Sequence, residues 1–502
     1  EDGGRLKLAG NATTLSHLGI AQSDYNGVKF LDVDNNANST CVGDNNTSQG
    51  FSKIVVEHLD QKGNSNIGLS AMTELSFTSQ SSVASQKSMT VSGESGKLSL
   101  DGTMSFENGS QFVLNSPGTI VSGAFNFVES NILNAKKSAS FQSSIGKWKN
   151  AQIIVDSASV LTFEDNQFET QGTFVKTGGD MYWDNVSWSL LDDTDYSSDS
   201  LVETKTLSLN NYQLTLGLPE SDLIVTDNMT FDNSSEKILT GAADLSIYGG
   251  VVIEDGLISS TSGLVYFGKG GTQTGGDLDV SNSTFKLSDD FTKTAGTLTM
   301  TEVGTTLELT ESLALRSDTS LGVKTLKLND ETLTLVSDTT DLTVIDAITM
   351  NDVDEQIRTN SADLTLNGLL TVANGGIDSD NGTLTFSTGI KQSGGLLNIN
   401  SSLLELGADV YKTGGTLNTP ATSVTVLNSL IITSDSTISV STINLGANTL
   451  SLGSASSDLY ISGNLSLADA NVSLNIEDAD LTVQGEVELA NGKLSSTGGA
   501  II

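Results

Sequence analysis

The chain consists of short segments in which apolar and polar residues alternate. Examples are Leu-Lys-Leu at 326–328 and Leu-Thr-Leu at 333–335. A period of two sends successive side chains to opposite faces of a strand, and the Gly, Asn, Asp and Ser residues between segments are typical of turns. Apolar residues at helical spacing are missing. The pattern therefore predicts short β-strands joined by tight corners.

A longer repeat of 117 to 119 residues organises these segments. Segments 205–231, 324–350 and 441–467 align without a gap and share two leucines and an aspartate, at Leu209, Leu328 and Leu445, at Leu214, Leu333 and Leu450, and at Asp222, Asp341 and Asp458. An Ala-Asp-Leu block and a Lys-Thr pair recur at the same offsets, the former at Ala243, Ala362 and Ala479 and the latter at Lys176, Lys293 and Lys412. Three anchors with one spacing indicate tandem units.

A shorter period, of about 20 residues, lies within each unit. Leu364, Leu384 and Leu404 recur at this period, and so do Gly394 and Gly414. Strands that recur every turn without intervening helices predict a coiled chain. The expected fold is all-β, an elongated parallel β-helix (β-solenoid) with about 20 residues per coil.

The period divides the chain into segments. Residues 1–70 depart from the pattern and are interpreted as an atypical capping or docking segment, because the end of a solenoid needs a cover. Residues 71–156 are degenerate β-solenoid coils. The tandem units are 157–273, 274–392 and 393–502.

Composition supports a backbone committed to hydrogen-bonded ladders. Proline cannot donate to a ladder, and the chain has only three prolines in 502 residues. With 37% hydrophobic residues, a 20-residue coil has about seven apolar side chains to stack inward. Cys41 is the single cysteine, so no internal disulfide supports the fold.

Charge excludes some partners. The 24 basic and 61 acidic residues give a net charge of −37, which opposes nucleic acid and anionic membranes. No run approaches the ~18 apolar residues of a membrane-spanning helix. Carboxylates stacked at ~4.8 Å repel by about 0.9 kcal/mol in water. We therefore expect cations, with Ca²⁺ as the candidate, to help the fold without being a required cofactor.

Residues 71–502 resemble a family of bacterial proteins. The ~20-residue coil, phrases such as Gly382-Thr383-Leu384, the low proline content and the near absence of cysteine are similar to those of large repetitive β-helical surface proteins, the filamentous-haemagglutinin-like and autotransporter-like adhesins. The resemblance implies a right-handed helix and an extracellular, cell-surface location.

A candidate metal site lies in the N-terminal segment. Asp32, Asp34 and Asn36 have the spacing of the first three ligands of an EF-hand loop, but Ala37 and Gly43 stand where that loop needs its glycine and its closing glutamate. The alternative is that these residues belong to the capping segment. The candidate metal ligands are Asp32, Asp34 and Asp44.

A candidate ligand-binding region covers residues 181–196, beside two of the three tryptophans. Aromatic faces beside carboxylates bind sugars, either directly or through calcium. The alternative is that the indoles fill a wider coil and that the acids form a solvated loop. The candidate residues are Tyr182, Trp183, Trp188, Asp192, Asp193 and Asp195.

Three functions remain open. The leading one is an extracellular structural or adhesive protein, a fibre body or spacer that associates end to end, because the last coil stops in mid-repeat at Ile502 and exposes an unpaired edge. The second is an adhesin that binds surface glycans through 181–196. The third is a polysaccharide-degrading tail-spike or lyase. An enzyme is not expected, because acids occur on every coil and the chain has only three arginines to stabilise developing anions.

Overall fold

The structure is a computed structural model, and it describes most of the chain. The backbone is described for residues 5–9, 26–34, 40–42, 52–61, 64–69, 73–93, 96–400 and 402–502. Side chains are described for residues 59, 64, 74–92, 96–400 and 402–502.

Within these residues the regular structure is entirely β. The first strands are β1 Arg5–Ala9, β2 Asn26–Asp34, β3 Thr40–Val42, β4 Ser52–Gln61, β5 Ser65–Leu69, β6 Thr73–Phe77, β7 Ser81–Val83, β8 Ser88–Gly93, β9 Lys97–Phe106, β10 Gln111–Asn115, β11 Thr119–Phe127, β12 Ile132–Ala135, β13 Ala139–Glu164, β14 Gln167–Asp184, β15 Ser187–Ser198, β16 Val202–Thr204, β17 Thr206–Ser208, β18 Gln213–Leu216, β19 Leu223–Val225, β20 Met229–Phe231, β21 Lys237–Gly241, β22 Leu245–Ile247, β23 Val251–Ile253 and β24 Leu257–Ser260.

The remaining strands are β25 Leu264–Phe267, β26 Gly271–Gln273, β27 Asp277–Asp279, β28 Thr284–Leu287, β29 Phe291–Lys293, β30 Thr297–Thr299, β31 Thr306–Leu309, β32 Leu313–Arg316, β33 Leu321–Val323, β34 Thr325–Lys327, β35 Thr332–Leu335, β36 Leu342–Val344, β37 Ile348–Met350, β38 Gln356–Asn360, β39 Leu364–Leu366, β40 Leu370–Val372, β41 Gly376–Ser379, β42 Thr383–Phe386, β43 Ile390–Gln392, β44 Leu396–Ile399, β45 Leu403–Leu406, β46 Val410–Lys412, β47 Thr416–Asn418, β48 Ser423–Val426, β49 Leu430–Thr433, β50 Ile438–Val440, β51 Thr442–Asn444, β52 Thr449–Leu452, β53 Leu459–Ile461, β54 Leu465–Leu467, β55 Ser473–Asn475, β56 Leu481–Val483, β57 Val487–Leu489 and β58 Lys493–Ser495.

These strands form two compact units. The first comprises Glu1–Gly249 with Gly256–Ser259, and the second comprises Gly250–Asp255 with Ser260–Ile502. Within the described residues of both units, no helix has the length and apolar character needed to cross a membrane.

In the second unit, three short strands make up a typical coil, and a strand typically pairs in parallel with the one three places later. Val251, Gly271 and Phe291 lie in register on β23, β26 and β29, each one coil after the last. Side chains alternate between the interior and the surface, as in β36, where Leu342 and Val344 are buried and Thr343 is partly exposed. The prediction of a parallel β-solenoid with about 20 residues per coil is confirmed.

In the first unit, longer strands bend around the corners of the coil. Strand β13 runs for 26 residues and pairs in parallel with β14, with register shifts at two bulges. The described strands within residues 1–70 belong to the same sheet, in which β1 pairs with β2 and β5 pairs with β8. The capping role of that segment stays a prediction.

Aromatic rings fill the interior of the first unit. Phe106, Phe127 and Trp148 stack on successive coils with ring centroids 4.8 and 4.5 Å apart, and Trp148 stacks on Phe168 at 5.1 Å. Rings at this spacing replace the aliphatic columns of the later coils, and each buries more apolar surface than a leucine does.

The repeated lysines of the tandem units are buried and form ion pairs with the next coil. The side chains of Lys176, Lys293 and Lys412 are 0%, 1% and 3% exposed and contact Asp199, Asp318 and Asp435. The Lys176 Nζ to Asp199 Oδ1 distance is 2.7 Å. Hydrogen bonding to Lys412 lowers the pKa of Asp435 below its ordinary value. The Lys-Thr anchors in the sequence therefore mark the buried half of a repeated ion pair whose aspartate is partly exposed.

A small apolar cavity lies inside the last repeat. It has a volume of about 30 Å³ and is lined by Thr419 and Val440 together with aliphatic side chains. Thr419 stands where the preceding repeats carry Met300 and Trp183, at offsets of 119 and 117 residues. The cavity therefore lies beside a position whose side chain becomes smaller from one repeat to the next.

Removing Asp318 should destabilise the second unit more than removing Lys293. Asp318→Ala leaves a buried ammonium without its carboxylate, at an expected cost of about 3 kcal/mol. Lys293→Met leaves Asp318, which is 41% exposed and can be hydrated, so its cost should be smaller. Urea unfolding followed by circular dichroism measures both, and the double variant should be more stable than Asp318→Ala alone. The reverse order of the single variants would contradict a buried ion pair.

Filling the cavity should stabilise the last repeat. Val440→Ile adds one methylene beside the cavity and should raise the free energy of unfolding by up to about 0.8 kcal/mol. The matched control is Val323→Ile at the equivalent position one repeat earlier, where overpacking should cost about 1 kcal/mol. Equal changes in the urea midpoint for both variants would be evidence against space beside Val440.

Candidate functional site

Two of the predicted ligand residues belong to the core. Trp188 is completely buried, and its indole N–H donates a hydrogen bond to Thr170 Oγ1 at 2.8 Å. Trp183 is 7% exposed, and its ring centroid lies 5.5 Å from that of Trp188. Because Trp188 has no exposed face that could stack on a sugar, its predicted ligand role is corrected to the alternative, in which the indole fills the coil. Trp183 packs in the same core but also reaches the surface, and its ligand role stays a prediction.

The other predicted residues of this region are exposed but lie on different stretches of ladder. Tyr182 is 57% exposed on the stretch of β14 that pairs with β13 through Thr162. Asp195 pairs with Thr173 at a separate position along β14. The structure therefore does not gather the six candidates into one site.

Two of the aspartates support neighbouring coils. Asp192 Oδ2 accepts a hydrogen bond from Gln171 Nε2 at 3.1 Å, and Asp193 Oδ1 accepts one from the Gln213 backbone N–H at 2.9 Å. These acids hold a corner of the coil while remaining exposed to solvent.

The candidate metal ligands fall outside the described side chains. Asp32 and Asp34 lie on the backbone of β2, and Asp44 lies outside the described residues altogether. Among the described side chains, no group of three His, Cys, Asp or Glu residues is arranged to hold a metal ion.

A cleft opens at a corner of the first unit, next to the predicted region. We call it the corner cleft. It has a volume of about 270 Å³ and is lined by Trp183, Asp184, Asn185, Glu203, Lys205, Thr226 and Asp227.

Three successive coils contribute to the corner cleft. Asp184 ends β14, and Asn185 turns the chain with a φ of 53°, in the left-handed region that Asn tolerates. Glu203 lies on β16 one coil later. The backbone N–H of Asp227 donates to the Lys205 carbonyl at 2.9 Å, which places the third coil against the second.

The charges of the corner cleft are not neutralised within it. Three carboxylates and one ammonium, from Asp184, Glu203, Asp227 and Lys205, give a net charge of 1 − 3 = −2. All four residues are exposed, and within the described part of the chain their side chains form no hydrogen bond or ion pair. Asn185 Nδ2 donates to Asp165 Oδ1, which leaves Asn185 Oδ1 as an acceptor.

The corresponding corner of the next repeat has a different filling. Asn185 aligns with Glu302 at an offset of 117, and Glu203 aligns with Gly322 at an offset of 119. The Glu302 side chain lies over Gly322, where a Cβ would come within 2.8 Å of Glu302 Cγ. The first of these two corners has its long side chain, Glu203, on the later coil. The second has it, as Glu302, on the earlier coil, where it covers the Gly322 backbone.

Sequence reasoning missed Glu203, Lys205, Thr226 and Asp227, because they follow Trp183 by one or two coils. The sequence does indicate a difference at this corner, because Asn185 aligns with the longer Glu302 whereas Glu203 aligns with Gly322.

The tryptophan emission of the chain should be that of buried indoles. Trp148, Trp183 and Trp188 are 1%, 7% and 0% exposed, so emission should be shifted to the blue and acrylamide should quench it weakly. Fluorescence of the native chain and of the chain in urea provides the comparison. Strong quenching in the native state would mean that the rings reach the surface, as a sugar-stacking role requires.

No family model matches the chain, and neither a curated protein nor a solved structure matches it. The likeness to filamentous-haemagglutinin-like and autotransporter-like adhesins therefore rests on the coil length and composition described above. The right-handed twist and the cell-surface location that it implies stay predictions.

Proposed function

We propose that the chain is an extracellular structural or adhesive protein whose β-solenoid forms the body of a surface fibre or a spacer. The observation that carries this proposal is the repetition of the same inter-coil contacts in successive tandem units. A scaffold role needs such contacts along the length of each unit, whereas a catalytic role needs only one site.

A second set of repeated contacts strengthens the coils at their corners. Asp222, Asp341 and Asp458 each accept a hydrogen bond from the backbone of the next coil, with distances of 2.8, 3.0 and 2.9 Å. The donors are the aspartates of the Ala-Asp-Leu blocks, Asp244, Asp363 and Asp480. Two of the sequence anchors therefore contact each other and join neighbouring coils.

The Asp222 contact is kept despite an electrostatic cost. Burial raises the pKa of Asp222, the Asp244 backbone N–H opposes that shift, and the charges of Asp244 and Glu220 add to it. The carboxylate is kept as an acceptor although its neighbours repel it. Repetition of the contact in each unit supports a structural purpose.

Composition supports the proposed choice of partners. The chain has one cysteine and a net charge of −37, which favours solubility and opposes nucleic acid as a partner. Ca²⁺ at the acidic surface belongs to the proposal as a helpful ion and not as a cofactor.

Carbohydrate binding is the second candidate function. The specific observation in its favour is the corner cleft, which lies beside the exposed Tyr182 on the strand that also supplies Asp184. Residues 182 and 184 share the outer face of β14, since strand side chains alternate. In an adhesive protein, such a cleft would hold a surface glycan.

The 502-residue chain should associate end to end. In the coil of β57 and β58, Val487, Leu489, Ile501 and Ile502 are 44%, 54%, 51% and 73% exposed, and these two strands form the edges of their sheets among the described residues. Sedimentation velocity and electron microscopy at rising concentration should show linear assemblies, and Leu489→Lys should reduce them. Tyr411→Lys, at an exposed position away from that coil, is the control. Strictly monomeric particles at high concentration would remove the filament function.

A further inference from the structure

We infer that the corner cleft binds a donor-rich ligand that carries hydroxyl groups and a primary ammonium, the chemistry of an amino-sugar residue in a polysaccharide. This inference rests on the carbohydrate-binding function proposed above and specifies its ligand. It follows from the volume, the hydrogen-bonding character and the charge of the cleft, and from the contrast with the next repeat.

The volume limits the size of the ligand. Small-molecule sites usually have volumes of roughly 300 to 1,000 Å³, and the corner cleft, at about 270 Å³, is close to the lower limit. It is open to solvent on the outside of the coil, because Asp184, Asn185 and Glu203 are all exposed. One sugar residue can enter while the rest of a polysaccharide stays outside.

The hydrogen-bonding groups of the cleft are mainly acceptors. Asp184, Glu203 and Asp227 offer carboxylate oxygens, and Asn185 offers its remaining amide oxygen. Lys205 is the one charged donor among the lining residues. A matching ligand must donate hydrogen bonds, which hydroxyl groups do once each and an ammonium does three times.

The net charge of −2 favours a cationic ligand over a neutral one. Within the described chain, Lys205 forms no ion pair with any of the three acids, so their charges remain available. The acids are not arranged as a metal site among the described residues. An organic ammonium does not need a closed ring of ligands, since a single carboxylate can hold it.

Trp183 gives the cleft an apolar part. The residue is only 7% exposed, and it packs on Phe168 with ring centroids 4.5 Å apart, so its position is fixed by the core. Its indole N–H has no partner among the described residues. An apolar wall beside exposed acids suits a ligand with both C–H and polar surfaces, as a sugar ring has.

The next tandem unit, 274–392, does not repeat these features of the corner cleft. There, Glu302 covers Gly322, and Asp346, which aligns with Asp227, already accepts a hydrogen bond from Thr325 Oγ1 at 2.6 Å. Asp227 is exposed and has no such contact within the described chain. Asp346 is therefore a control of equal charge at an equivalent position.

The test measures binding of glucosamine disaccharides to the full chain by isothermal titration calorimetry at pH 6 and physiological salt. We expect the deacetylated disaccharide to bind at least ten-fold more tightly than its N-acetylated form, which lacks the ammonium. Glu203→Gln and Asp227→Asn should each weaken binding at least five-fold. Asp346→Asn removes the same charge and should leave the affinity unchanged.

Each other outcome overturns the inference in a distinguishable way. Equal weakening by Asp227→Asn and Asp346→Asn would show that the ligand responds to the net charge of the protein and not to the cleft. Tighter binding of the N-acetylated disaccharide would retain carbohydrate binding and remove the ammonium requirement. If a panel of neutral, acidic and amino glycans all fail to bind, carbohydrate binding itself fails. The proposed role as a fibre body or spacer is then tested only by the sedimentation and electron microscopy experiment. Unchanged melting curves of the variants confirm that they are folded.

Discussion

Parallel hydrogen bonding between successive coils is the constraint on which the rest of the structure depends. Each strand must meet the strand one coil later in a fixed register, because a shift of one residue would turn every inward side chain outward. The columns that fill the interior are nearly uniform, as with Leu364, Leu384 and Leu404 on β39, β42 and β45. Uniform columns exclude a slip of one residue, but they tolerate a slip of one whole coil, since leucine would again meet leucine.

Ion pairs of buried lysines distinguish one coil from the next where leucine columns cannot. Lys293 contacts Asp318 on the following coil, and a slip of one coil would leave a buried ammonium without a carboxylate. A buried ion pair adds little net stability compared with an apolar pair, so its recurrence in each unit is better explained by specificity of stacking. We interpret the three lysines as register markers, spaced so that each tandem unit contains one.

Much of the fold could be predicted from the sequence because the period itself is a physical requirement of the coil. The Lys-Thr anchors were visible too, but their partners were not, because Asp199 lies a full coil beyond Lys176 and no local pattern points to it. The prediction that Trp183 binds a ligand depends on its chemical type alone. The alternation along β14 places the side chains of Met181 and Trp183 inward and that of Tyr182 outward. The corner cleft could not be predicted, since three coils supply its walls.

The location of the corner cleft follows from the different roles of inward-facing and outward-facing positions in the coil. Inward positions are committed to the core and to register, so change there costs stability. Outward positions at a corner contact only their neighbours, and a long side chain can move between adjacent coils, as from Glu203 in one repeat to Glu302 in the next. In one repeat the exchange leaves a cleft, and in the other it covers Gly322. A solenoid can therefore acquire a surface cleft by substituting two surface residues, without disturbing the ladder that holds its coils together.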